Sequence, residues 1–184
     1  GGAAGVPTTR GLTLSEQGTV QHMGHPAVLD PFTGRLVPGP LQVFELGTVK
    51  SVTAVLVLGG LPYDLCASIL AHEAFHAWLR CQNDFPHLPL QVEEGMCQLV
   101  AQLWLRRRQE QEEEQGRGGG GGGGGGDGDG PSDADLRNLF LFQIETNDSP
   151  TYGDGFRMAA AAYAQIGLVP LVDHLKQYQS FPII

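Results

Sequence analysis

The sequence predicts an α+β domain, a short sheet packed on paired helices with additional C-terminal helices. Three observations predict it. Residues 41–58 carry Val43, Val49, Val52, Val55, Leu56, Val57 and Leu58 and stop at Gly59-Gly60, a β pattern. Two apolar runs at helical spacing follow, at 63–80 and 92–109. Beyond a glycine tract, residues 134–145, 156–166 and 169–178 again read as helices.

Residues 1–10 are small and polar and read as a frayed end. Gly11 to Gln21 reads as an extended arm, with Leu12 and Leu14 on one face, leading to a strand near Thr19–His22. Residues 26–40 are turn-rich. In 41–58, Gly47-Thr48 interrupts the apolar run, which predicts two adjacent strands joined by a tight turn. Pro62 suits the first turn of the next helix, where a missing N–H costs nothing. That helix carries Leu65, Ile69, Ala71, Phe75 and Leu79 over more than one stripe, so it is expected to be central.

The second helix has a broad apolar face including Met96, Leu99, Leu103 and Trp104, and Arg106 to Arg108 complement its C-terminus. Residues 109–133 form a Gln/Glu- and Gly-rich stretch that cannot bury apolar area. It is expected to be a disordered insertion within one domain spanning 1–184. Asp127, Asp129, Asp133 and Asp135 lack the closing glutamate of a calcium loop. Gly167 ends the helix before the last one, and residues 181–184 form an apolar tail that can dock.

The chain has 184 residues and a formal net charge of -9. An acidic chain without a basic stripe excludes nucleic acid and anionic membranes as expected partners. No apolar run reaches membrane-spanning length. Three cysteines without a CxxC pair give neither a disulfide framework nor a zinc knuckle. The expected location is therefore intracellular, in the reducing cytoplasm.

The chemistry centres on Ile69-Leu70-Ala71-His72-Glu73-Ala74-Phe75-His76. On a helix, His72 and His76 share a face and both imidazoles can reach one ion. Glu73 lies one residue further round, beside a water that such an ion would hold. This is the pattern of a zinc hydrolase with a carboxylate general base. Downstream, Glu93 and Glu94 open the second helix after a loop marked by Pro86 and Pro89. Either glutamate could complete a set of two histidines and one carboxylate. His22 and His25, in a Gly/Pro-rich context, read as loop residues.

Several ordered motifs carry a resemblance. They are Thr9-Arg10-Gly11-Leu12-Thr13-Leu14-Ser15-Glu16, Val52 to Leu58 with Gly60-Leu61-Pro62, Ser68 to Glu73, and His76-Ala77-Trp78. Val92-Glu93-Glu94-Gly95, Gln143-Ile144-Glu145 and Tyr152-Gly153-Asp154-Gly155-Phe156-Arg157 extend them. The chain resembles the peptidase domain of the plant DA1 and DA1-related proteins, whose full-length members carry ubiquitin-interacting motifs and a LIM region upstream. The resemblance implies a zincin-like fold and a zinc endopeptidase acting on protein or peptide substrates of ubiquitin-linked growth control. Ubiquitin or ubiquitinated proteins would be engaged through upstream regions. The Glu94-Gly95 step is similar to the third-ligand helix of gluzincin peptidases, which favours Glu94 over Glu93 as ligand.

The chain also departs from these patterns. The wider family has an acidic residue one turn after the ligand, where this chain has Gln98. Related DA1 sequences place a histidine before Gln143, where this chain has Phe142. The Gly-x-Met-x-Asn motif of aminopeptidases is absent.

The expected mechanism holds Zn2+ on His72, His76 and Glu94 with water in the open position. Glu73 takes the proton, and Tyr152 shares the charge of the tetrahedral oxyanion. Tyr152 is chosen because it offers one neutral donor from a glycine-flanked loop; packing that loop is its other reading. The substrate would lie extended along the strand before the zinc helix. One alternative is a catalytically impaired protein-binding module that keeps the fold, motivated by Phe142 and Gln98. Another is an aminopeptidase-like metallohydrolase. A third is a closed structural zinc site completed by His22 or His25.

Overall fold

The computed structural model describes residues 10–82, 84–118 and 131–183. It is a mixed α+β structure with little sheet and several helices. Strand β1 (Gly11–Gly24) runs antiparallel to β4 (Gln42–Val57), from Gly11 opposite Val57 to Gly24 opposite Gln42. At the far end of this ribbon, β2 (Ala27–Leu29) and β3 (Leu36–Pro38) form a small hairpin.

Two expectations change here. The arm and short strand before residue 24 are one strand, and the expected turn at Gly47-Thr48 is absent. Instead β4 passes straight through, and the register shifts between Val20 and Gln21, leaving Leu46 unpaired. A second shift between Leu14 and Ser15 leaves Thr53 over. A glycine between two apolar runs serves a bulge as readily as a turn, and the long partner β1 selects the bulge.

Only the end of the ribbon that carries Gly11 and Thr13 packs on the body. Thr13 is buried there, whereas Met23, Val43, Phe44 and Leu46 farther out are exposed. Helix α1 (Tyr63–Cys81) lies against that inner end, with Ser68, Glu73, His76 and Leu79 buried. Helix α2 (Leu90–Gly118) packs alongside α1. The main core gathers Leu88, Met96 and Leu99 with Phe156, Ala159, Ala162, Leu171 and Leu175.

The glutamine- and glutamate-rich run is helical as far as Gly118. Arg107 reaches Glu110 at 3.2 Å and Arg108 reaches Glu112 at 3.3 Å, pairs spaced to support a helix without an apolar face. The glycine tract from 119 to 130 lies outside the described residues.

Helix α3 (Asp133–Glu145) begins at a capping box in which Ser132 and Asp135 satisfy each other's backbone N–H groups. The Arg137 guanidinium ties α3 to α1 through Asp64 at 2.7 Å. A π-helical turn (Pro150–Asp154) leads into α4 (Gly155–Ile166), and Gly167, at φ 78°, separates it from α5 (Leu168–Tyr178). In the tail, Phe181 returns to the main core. No single helix among the described residues is long and apolar enough to cross a membrane.

Candidate metal centre

Helix α1 brings His72 and His76 onto one face, with ring centroids 5.0 Å apart. Helix α2 supplies the opposite wall. Its Cys97 is fully buried, and the ligand atoms of His72, His76 and Cys97 all lie within 4.8 Å of one another. This cluster can hold a metal ion.

Glu94, one turn before Cys97 on α2, reaches the same point. Its Oε2 is 3.2 Å from His72 Nε2 and 3.5 Å from His76 Nε2. Donors around a tetrahedral ion at zinc–nitrogen and zinc–oxygen distances stand about 3.3 Å apart. The two distances from Glu94 Oε2 to the imidazoles are close to that spacing. Glu94 Oε2 is also buried without a hydrogen-bond partner, because neither ring meets it at hydrogen-bonding angles. A buried carboxylate oxygen left unpaired between two imidazoles is a site with the charge and shape for a cation.

Glu93 faces the other edge of His76. The Nδ1–H of His76 donates to Glu93 Oε1 at 2.6 Å. The same oxygen lies 3.7 Å from the Arg80 guanidinium, which also donates to the Thr13 carbonyl at 3.3 Å.

The electrostatics follow. Burial opposes charge on His76, but Cys97, Glu93 and Glu94 outweigh it and push the imidazole up to about 12. Burial likewise opposes charge on Glu94, yet the two histidines bring it down to about 2. The His76 hydrogen bond holds Glu93 below the usual carboxylate range. Burial pushes the Cys97 thiol up to about 11.

Glu73 points to the strand side. It is 7% exposed, and its Oε2 lies 2.7 Å from Thr13 Oγ1, which is also 3.0 Å from the Glu73 carbonyl oxygen. A side chain on Gly11 would come within 2.7 Å of Oε1, so β1 fits closely over this carboxylate. A cleft of about 450 Å³ opens beside the cluster, lined by His72, Glu73, Gln98, Gln143, Asn147 and Tyr152 among others. Tyr152 is partly exposed in it, and burial, then the charge of Glu94, raises its phenol above the ordinary range. The cleft meets the ribbon at Gly11, the first residue of β1, and at the preceding Arg10, not at the strand before α1.

These positions correct the expected function. The metal-capable cluster is two histidines and a cysteine, and no carboxylate base belongs to it. The His-Glu-x-x-His spacing stands in the sequence, but Glu73 is engaged by Thr13. An active zinc endopeptidase with Glu73 as general base is therefore not the reading that the structure supports, nor is an aminopeptidase-like enzyme.

His22 and His25 lie out on the ribbon and its hairpin and join no metal-capable group among the described residues; His25 instead bonds the Gly39 carbonyl at 2.8 Å. Asp154 and Arg157 pair with each other, and Arg157 also donates to the Asn147 carbonyl at 3.0 Å. Sequence reasoning missed Cys97, although its spacing from Glu94 put it on the same helical face. The carboxylate partner of His76 is Glu93, a residue that the sequence offered only as a possible ligand.

The profile of the DA1-like family, described as Protein DA1, matches residues 1–178. Protein DA1 of Arabidopsis thaliana is 36% identical over 182 residues, covering 97% of this chain and 34% of its own. LIM domain-containing protein HDR3 of Oryza sativa subsp. japonica is 40% identical over 192 residues, 97% of this chain and 37% of its own. Protein DA1-related 1 of Arabidopsis thaliana is 35% identical over 185 residues, 96% of this chain and 33% of its own. The chain thus spans about a third of the length of these relatives. No solved structure matches it.

Proposed function

The chain belongs to the DA1-like family, and from that premise we propose that it is a Zn2+-holding domain of zincin-like fold that binds protein segments and is impaired in cleaving them. The observation that carries the reading is the convergence of His72, His76 and Cys97, with the unpartnered Glu94 oxygen among them. Two imidazoles, a thiolate and a carboxylate form a borderline-soft donor set that suits Zn2+. Were all four to hold the ion, no position would be left for a reactive water. Zinc on such a site supplies folding energy rather than Lewis-acid chemistry.

The residues expected to act in catalysis take another role in this reading. Glu73 and Tyr152 line the cleft and shape it for an extended segment. Phe142, where DA1 sequences carry a histidine, is 61% exposed on α3 and offers no proton. The family resemblance supports partners among proteins of ubiquitin-linked growth control, met together with regions of a longer chain.

The test is metal content together with cleavage. We expect one zinc per chain by elemental analysis and no new fragments from an N-terminally blocked protein substrate. A chelator should lower the melting temperature, since free zinc at a hundred times its Kd contributes about 2.7 kcal/mol. Cleavage that disappears in Glu73→Gln would overturn the proposal, and so would a purified chain that binds no zinc.

A further inference from the structure

We infer that Glu93 is a positioning residue for the metal centre: it fixes the ring of His76 so that Nε2 faces the metal. The inference rests on the metal-holding reading above and assigns a role to a residue that the ligand set does not use. The two imidazole nitrogens of His76 face different partners. Nδ1 meets Glu93 Oε1 at 2.6 Å, whereas Nε2 looks toward Glu94 Oε2 at 3.5 Å. A neutral imidazole carries one N–H, so an acceptor at Nδ1 leaves the Nε2 lone pair free for an ion. An anionic acceptor also raises the basicity of the ligating nitrogen.

Consecutive residues divide the work because they open the same helix. At successive positions of α2, Glu93 and Glu94 point in directions about 100° apart, from the helical repeat. One carboxylate therefore comes to each edge of the same imidazole. Glu93 is itself held in place. Arg80, one turn beyond His76 on α1, sits 3.7 Å from Glu93 Oε1 and anchors to the Thr13 carbonyl of β1. The metal histidine, the second helix and the inner strand are thereby joined through one carboxylate. Gln98, where the wider family has an acidic residue, lines the cleft.

The test measures zinc affinity by chelator competition on the whole chain, with far-UV circular dichroism as a control of fold. Glu93→Ala should weaken zinc binding about 10-fold or more. Glu93→Gln keeps an oxygen that can accept the N–H and should recover most of that loss. With Co2+ in place of zinc, the visible absorption bands should shift in the alanine variant and return toward wild type in the glutamine variant. A folded Glu93→Ala chain that binds zinc within about 2-fold of wild type would overturn the inference.

Should the alanine variant not fold, nitrogen NMR of the wild-type zinc form decides. A proton on His76 Nδ1 with metal on Nε2 supports the role, and the opposite tautomer sinks it. A wild-type chain that takes up no zinc is a different failure, that of the metal-holding reading itself.

Discussion

Thr13 Oγ1 stands 2.7 Å from Glu73 Oε2, and this contact joins the inner end of the β ribbon to the middle of helix α1. Both residues are buried. A two-stranded ribbon is marginal by itself and needs a surface to pack on. Here the surface is the helix that carries His72 and His76. The same contact engages the one carboxylate that the sequence motif offers as a base.

Thr13→Val should therefore destabilise the domain. Valine keeps the shape but removes the donor, leaving a buried carboxylate oxygen short of one hydrogen bond. Hydrogen bonds to charged groups contribute about 1.5–3 kcal/mol. The expected loss is in that range and is read from the urea midpoint at constant m-value. A change below about 0.5 kcal/mol would show that water replaces the hydroxyl and that the strand is not anchored here.

The parts of this site that could be read in the sequence are those set by local geometry. His72 and His76 are four residues apart on one helix, and any α-helix puts them together. Glu94 was legible only through its glycine neighbour and the resemblance, because its place depends on how α2 docks on α1. Cys97 shares a face with Glu94 by its spacing, but what that face meets, and what Glu93 meets, depends on the rotation of α2 about its own axis. The ribbon was misread for a related reason. Gly47-Thr48 looks the same in a turn and in a bulge until the partner strand is known. The glutamate-rich run lacks an apolar face, and its helix to Gly118 is carried by charge pairs that a reading of hydrophobic period passes over.

Arg137 gives a second prediction. It is 2% exposed, and its guanidinium reaches Asp64 at 2.7 Å and Glu112 at 2.8 Å. The group connects α3 to the first turn of α1 and to the far part of α2. Removing one member of a buried pair strands the other, at a cost of about 3–5 kcal/mol. Arg137→Met should show this loss, moderated because Glu112 is 38% exposed and can turn to water. The double variant Arg137→Met with Asp64→Leu should regain most of the loss. A double variant as unstable as the single one would mean that the charges hold the interface together and do not merely satisfy each other.

Gly95 gives the third. It follows Glu94 and sits where α2 crosses the start of α4. A methyl group built on it would come 2.9 Å from the α-carbon of Gly155, and closer still to the Gly155 carbonyl. Gly155 is backbone on a packed helix and cannot swing aside as a flexible side chain could. Alanine at position 95 must therefore push the two helices apart. Helix propensity favours alanine by about 1 kcal/mol, which sets a clear contest of effects. Overpacking in a dense core costs about 1–3 kcal/mol, and here the clash is with backbone, so the steric cost should win. With the cost near the upper end of that range, Gly95→Ala is expected to be less stable than wild type by up to about 2 kcal/mol after the gain in propensity is subtracted. Because Glu94 is the neighbouring residue, the shift of α2 should also weaken zinc binding. Urea unfolding with zinc and with chelator separates the two effects: the backbone clash persists without metal, and the additional loss appears only with it. A Gly95→Ala chain as stable as wild type in chelator would show that α2 and α4 do not touch at this crossing.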